Sequence, residues 1–135
     1  MHDQSEQDKF LVNEDKVGNI MTGITIYQNR DTAILTLKER VDALSAIELR
    51  KTCDSLFACG ITHFVIDLSR TPVIDSSGIA VLVSIFKRCR QINGAMKLSP
   101  MLSPAAQRIL RLTRFDQIFE TIEQREIEQM LEAIG

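Results

Sequence analysis

The chain has 135 residues, 44% apolar and 25% charged, a composition that fits one globular domain needing no metal or disulfide staple. Basic residues number 16 against 18 acidic ones, and the net charge of −2 disfavours charge-driven binding to nucleic acid or an anionic membrane. Aromatics at 5%, with no Trp, disfavour base stacking, and no apolar run approaches the ~20 residues of a membrane span.

Residues 1–22 read as a polar extension ahead of a domain at 23–135. The opening MHDQSEQDKF has no apolar secretion core, and Phe10, Leu11 and Val12 form one small apolar patch. Two readings stand: a flexible terminus, or a short helix that docks on the domain or a partner. Ile24–Gln28 and Thr32–Lys38 are β-rich runs about a turn at Asn29-Arg30-Asp31. Asp42 can cap a helix over Ala43–Ala58, whose Ala46, Leu49, Cys53, Leu56 and Phe57 fall on one face, with Gly60 as its stop. Thr62–Leu68 reads as a strand covered on both faces through Phe64-Val-Ile66. A loop then leads into a second helix from Ser76 to Asn93, followed by a strand at Ala95–Leu98. Ser103 and Pro104 open a third helix through Thr113. Ile118–Glu120 reads as an edge strand, and Thr121-Ile-Glu-Gln124 as a capping box before a last helix carrying Ile127, Met130, Leu131 and Ile134. The pattern is α/β: a small mixed sheet with helices packed on it. No glycine-rich phosphate loop is present, so the familiar nucleotide-binding enzymes are disfavoured.

The stretch from Val73 to Phe86 carries the most information. Asp75, Ser76 and Ser77 stand where loop becomes helix, and a side-chain oxygen there can accept from the unpaired first-turn N–H groups. Gly78 leaves room for a close approach, and from Ile79 to Lys87 the helix is apolar nearly all round. Such a helix must be buried in the core or have part of its apolar surface met by a partner. Asp-Ser-Ser is then either a good cap before a core helix or a cap that also presents a phosphate-accepting hydroxyl. A helix N-terminus stabilises added negative charge by about 0.3–1 kcal/mol. A phosphoserine there would leave the fold intact while placing close to two charges on the exposed face.

Phe64-Val-Ile-Asp-Leu-Ser69, then Val73-Ile-Asp-Ser-Ser-Gly-Ile79 and the apolar helix behind it, resemble the STAS domain, and within it the bacterial anti-sigma factor antagonists. The resemblance covers about residues 24–122. It implies a STAS-like single domain and a cytoplasmic regulator that is not an enzyme and needs no cofactor or metal. When unphosphorylated, such a regulator binds an anti-sigma factor that is often a serine kinase, and so frees the sigma factor. The family's phosphorylated serine falls on Ser76, with Asp75 the acid before it and Ser77 the neighbouring hydroxyl. Gly78 and Ile79 complete the site's surroundings, and a metal-dependent, PP2C-type phosphatase reverses the modification. The alternative within this fold is a non-switching scaffold or adaptor subunit of a larger sensory or lipid-transport assembly. Two positions depart from the family: Glu39 stands where a glycine is common three residues before Asp42, and Arg114-Phe115 replaces a common Gly-Leu.

Other candidates read as structural. Ser84-Ile-Phe-Lys87 matches the SxxK pattern without a companion motif. Asp67 either pairs with Asp75 as an acidic couple or ends its strand by bonding the next loop. Arg70, six residues before Ser76, either steadies a phosphate by a bidentate contact or is a solvated surface arginine. Cys53 and Cys89 read as small core side chains, and the three cysteines with no CxxC pair suit reduced thiols. His2 and His63 are too few for a metal cluster or a histidine-based reaction, and His63 reads as a satisfied strand-end histidine.

Overall fold

A computed structural model describes residues 23–100 and 103–134. Both readings of residues 1–22 therefore lie outside the described residues.

The strands are β1 (Ile24–Asn29), β2 (Thr32–Leu37), β3 (His63–Asp67), β4 (Ala95–Leu98) and β5 (Glu120–Thr121), in that order across one sheet. The β1–β2 pair is antiparallel, closed at Arg30 with φ 59, and the remaining neighbours run parallel. Between them lie α1 (Ala43–Ala58), α2 (Ser76–Gln91) and α3 (Pro104–Thr113), and α4 (Gln124–Ile134) ends the chain. The parallel strands advance in one direction without reversing. Right-handed crossovers then set α1, α2 and α3 on the same face. Their apolar sides meet Leu35, Leu37, Phe64, Ile66, Met96 and Leu98 in the main core. That leaves the second face to α4, where Ile127 closes over Ile34, Val65 and Ile122. As the middle strand, β3 is buried through Phe64, Val65, Ile66 and Asp67, in agreement with its unbroken apolar run.

Most predicted elements agree with the structure. Asp42 caps α1, accepting from the N–H groups of Leu44 and Ser45, and Gly60 follows the end of α1 at φ 96. Ser103 caps α3, accepting from the N–H of Ala106 at 3.4 Å. The first three strands differ from expectation by one residue at one or both ends, and three larger differences stand out. Helix α2 stops at Gln91 rather than Asn93, because Asn93 turns left-handed at φ 60. The edge strand lies at Glu120–Thr121 rather than Ile118–Glu120, because Phe115–Gln117 form a 3-10 turn that carries Ile118 to the surface. Thr121 is thus engaged in β5 opposite Leu98 and does not cap α4. The Glu126 carboxylate instead accepts from the Glu123 N–H at 3.4 Å, half of a capping box shifted by two residues.

Candidate functional site

The site lies where β3 ends and α2 begins, on the C-terminal edge of the parallel strands. The connecting loop, residues 68–75, is tied down from several sides. The Ser99 hydroxyl accepts from the Leu68 N–H at 2.7 Å. Buried Thr71 donates its hydroxyl to the Leu37 carbonyl at 2.8 Å, and Ser103 donates to the Pro72 carbonyl at 2.6 Å. Val41 and Ile74 form an isolated parallel bridge, in which the Val41 N–H bonds the Val73 carbonyl at 2.8 Å. The Asp75 N–H in turn bonds the Val41 carbonyl at 3.1 Å. Such bonds hold the loop at both ends and fix where α2 starts.

Asp75 is the N-cap. Its Oδ1 accepts from the Ser77 N–H at 2.9 Å and from the Gly78 N–H at 3.1 Å, with extended backbone at φ −107. One carboxylate oxygen thereby serves the second and third residues of the helix. Ser76, the first, is exposed, and Ser77 beside it is half-buried. The cap is complete without the Ser76 hydroxyl. With Asp75 already set at the positive end of the α2 dipole, further negative charge at Ser76 meets both an attraction to that end and a repulsion from its neighbour.

Gly78 and Ile79 are buried. The close approach that a glycine allows is made here by the domain itself: a Cβ on Gly78 would lie 2.6 Å from Val41 Cγ1 and 2.7 Å from Ile74 Cγ1. Gly78 therefore sets the distance between α2 and the bridge, and nothing from outside reaches it. Arg70 stands exposed in the turn closed by the Thr71 N–H and the Leu68 carbonyl at 3.1 Å. Among the described residues, no hydrogen bond or ion pair joins Arg70 to Asp75 or Ser76.

An open groove runs along α2 from Ser76. It passes Ile79, Ala80, Val83 and Ser84 to Lys87 and is walled on the α3 side by Ile109, Thr113 and Phe115. The apolar side of α2 thus divides in two. Val81, Leu82, Ile85 and Cys89 enter the core, while Ala80 is exposed and Val83 half-buried. Ser84 and Lys87 share this groove. Both expectations about an apolar helix, burial and a face left open, apply to different sides of it.

The remaining candidates serve the fold. Buried Asp67 accepts from the Ser69 N–H at 3.0 Å and the Ser69 hydroxyl at 2.7 Å, while its other oxygen accepts from Gln124 Nε2 at 3.3 Å. It ends the strand and anchors α4, and takes no part with Asp75. His63 shares a hydrogen bond with the Thr62 hydroxyl at 2.8 Å. Cys53 and Cys89 are buried. Burial pushes the Cys89 thiol up to about 11 and that of Cys53 higher still. Among the described residues no group of three or more His, Cys, Asp and Glu could hold a metal ion, and no helix is long and apolar enough to cross a membrane. Sequence reasoning missed Thr71, Ser99 and Ser103 as the clamps of the loop. Their partners lie 31 to 34 residues away, so no local pattern marks Thr71 or Ser99.

A family model described as the STAS domain matches residues 23–128. Among solved structures, the anti-sigma factor antagonist SpoIIAA in its unphosphorylated form is similar at 15% identity and TM-score 0.69, over 83% of this chain and 98% of that one. An anti-sigma factor antagonist from Mycobacterium paratuberculosis is similar at 20% identity and TM-score 0.66, over 82% of this chain and 92% of that one. The Bacillus cell fate determinant SpoIIAA in its phosphorylated form is similar at 15% identity and TM-score 0.63, over 80% and 98%. At these identities the likeness is one of fold.

Proposed function

The chain belongs to the STAS-domain family, and from that premise we propose that it is an anti-sigma factor antagonist switched by phosphorylation of Ser76. One observation carries the reading: Ser76 is exposed at the first residue of α2, in a cap that Asp75 completes alone. The hydroxyl is reachable and is not needed to hold the helix. Support also comes from the neighbours, of which one is an antagonist solved without phosphate and another a protein solved in its phosphorylated form.

In this reading the unmodified protein offers Ser76 and the groove beside it to an anti-sigma factor serine kinase in the bacterial cytoplasm. The kinase supplies ATP and Mg²⁺. The Ser76 Oγ loses its proton to a base on the kinase and bonds the γ-phosphorus, while the bond from that phosphorus to the bridging oxygen breaks and ADP leaves. This chain supplies the acceptor and a docking surface and does no catalysis. The phosphoryl group brings close to two negative charges beside Asp75, where the start of α2 tolerates them. Docking would bury those charges against an apolar groove, so repulsion and desolvation oppose rebinding. A PP2C-type phosphatase restores the hydroxyl. Arg70 stands six residues before Ser76, close enough in sequence to meet the added phosphate once it is present.

The test is incubation with the candidate kinase and ATP, followed by mapping of the modified residue by mass spectrometry. Phosphate on Ser76, lost in Ser76→Ala, is the expected result. Modification elsewhere, or unchanged in Ser76→Ala, overturns the assignment. A stable complex insensitive to Ser76→Asp would favour the constitutive scaffold or adaptor instead.

A further inference from the structure

A cavity of about 220 Å3 opens at the carboxyl ends of β4 and β5, beside α3. Open α/β sheets take their ligands outside those ends. Leu98, Leu110 and Phe119 give the cavity an apolar lining, and its polar groups include Ser99, Arg111 and Asp116. The volume exceeds the ~150 Å3 of a cavity that takes benzene and falls short of the ~300 Å3 where drug-sized sites begin. It suits one ring or branched alkyl chain with a short polar end. It shares no lining residue with the groove beside Ser76.

Two charges of opposite sign border this cavity. Arg111 lies in the last turn of α3. Beyond it Arg114 turns the chain at φ 63, and the 3-10 turn Phe115–Gln117 carries Asp116 back to the same cavity. Among the described residues neither side chain has a hydrogen bond or an ion pair. Both are therefore available to a ligand. Ser99, by contrast, is only 3% exposed. Its oxygen accepts from the Leu68 N–H at 2.7 Å, while its proton points to the Pro100 carbonyl at 3.4 Å, longer than the ~2.5–3.0 Å of an ordinary O–H···O bond. A buried hydroxyl with a proton so weakly used can donate into the cavity.

We propose that this cavity binds a free α-amino acid with an apolar side chain. The carboxylate meets the Arg111 fork and the Ser99 hydroxyl, and the ammonium meets Asp116. The side chain leaves water for Leu98, Leu110 and Phe119. An acid without the ammonium leaves Asp116 unmatched, and an amine without the carboxylate leaves Arg111 and Ser99 unmatched. The site stands whether or not Ser76 is phosphorylated.

The test titrates the full chain, labelled with 15N, with L-phenylalanine and L-leucine in solution NMR. Saturable shifts of the Leu98, Leu110 and Phe119 amides are expected with at least one of them. 3-Phenylpropionate and 2-phenylethylamine, each lacking one charge of phenylalanine, should bind about tenfold more weakly. Arg111→Gln and Asp116→Asn alter exposed side chains that hold nothing else in the fold. Arg111→Gln should weaken the amino acid about tenfold and leave 2-phenylethylamine unchanged, and Asp116→Asn should weaken the amino acid likewise and leave 3-phenylpropionate unchanged. The proposal is overturned if neither amino acid gives saturable shifts at these amides, if the two analogues bind as tightly as phenylalanine, or if both variants bind the amino acid as the parent does.

Discussion

Gly78 and Val41 touch across the start of α2, so closely that a Cβ on Gly78 would sit 2.6 Å from Val41 Cγ1. Val41 is buried and its backbone is held by both bonds of the bridge, so its side chain has little room to give way. Gly78→Ala gains up to ~1 kcal/mol of helix propensity but overpacks the bridge at a cost of about 1–3 kcal/mol. The expected net is a destabilisation of up to ~2 kcal/mol, seen as a lower urea midpoint at unchanged slope. A midpoint equal to or above that of the parent would show that the bridge yields.

Asp75 holds two amides with one oxygen. Asp75→Ala should cost about 1 kcal/mol, within the 0.5–2 kcal/mol range of lost N-caps, and Asp75→Asn much less, because asparagine caps nearly as well. Thermal unfolding of the two variants side by side checks this. Equal losses would mean that the charge of Asp75, rather than its capping oxygen, matters to the fold.

Asp42 caps α1 in the same manner, and the Ser45 N–H on its carboxylate holds it below its ordinary value of 3.8. A carboxyl depressed in the folded state stabilises above its unfolded value, and that contribution is lost as pH falls through the folded one. The effect therefore appears only below about pH 4. Acid unfolding of Asp42→Asn should show a weaker pH dependence in that window and none above pH 5 relative to the parent. A difference in slope at neutral pH would contradict the assignment.

Among the three cysteines only Cys59 is exposed. The thiolate is the reactive form, and burial suppresses it at Cys53 and Cys89. Brief alkylation of the native protein at pH 8 should give one adduct by mass spectrometry, on Cys59, with the other two appearing only in denaturant. Native labelling of Cys53 would show that α1 and α2 part readily.

Much of this architecture was legible in the sequence because it is written locally. Asp42 before the apolar face of α1 and Ser103-Pro104 before α3 are signals a few residues long, and both helices begin where those signals stand. The second half of the domain was harder. β5 is two residues long and takes its place from its pairing with Lys97 and Leu98, and no period can show in two residues. Arg114 adopts φ 63, a conformation suited to glycine, and so turns the chain where the sequence offers no breaker. The Asp75–Gly78 motif was readable as a cap. What holds it, Thr71 on Leu37 and Val41 on Val73, joins residues tens of positions apart and leaves no local trace. In the sequence Gly78 reads as room for something to approach, and only the fold reveals that Val41 and Ile74 occupy that room.

The proposed switch requires that charge on Ser76 leave the domain intact and change what binds to it. The most direct measurement takes unmodified and Ser76-phosphorylated protein, and records thermal unfolding and affinity for the anti-sigma kinase on the same samples. The account predicts melting temperatures within a few degrees of each other and an affinity at least tenfold weaker for the phosphorylated form, about 1.4 kcal/mol or more. Equal affinities, or a phosphorylated form that unfolds, would contradict it.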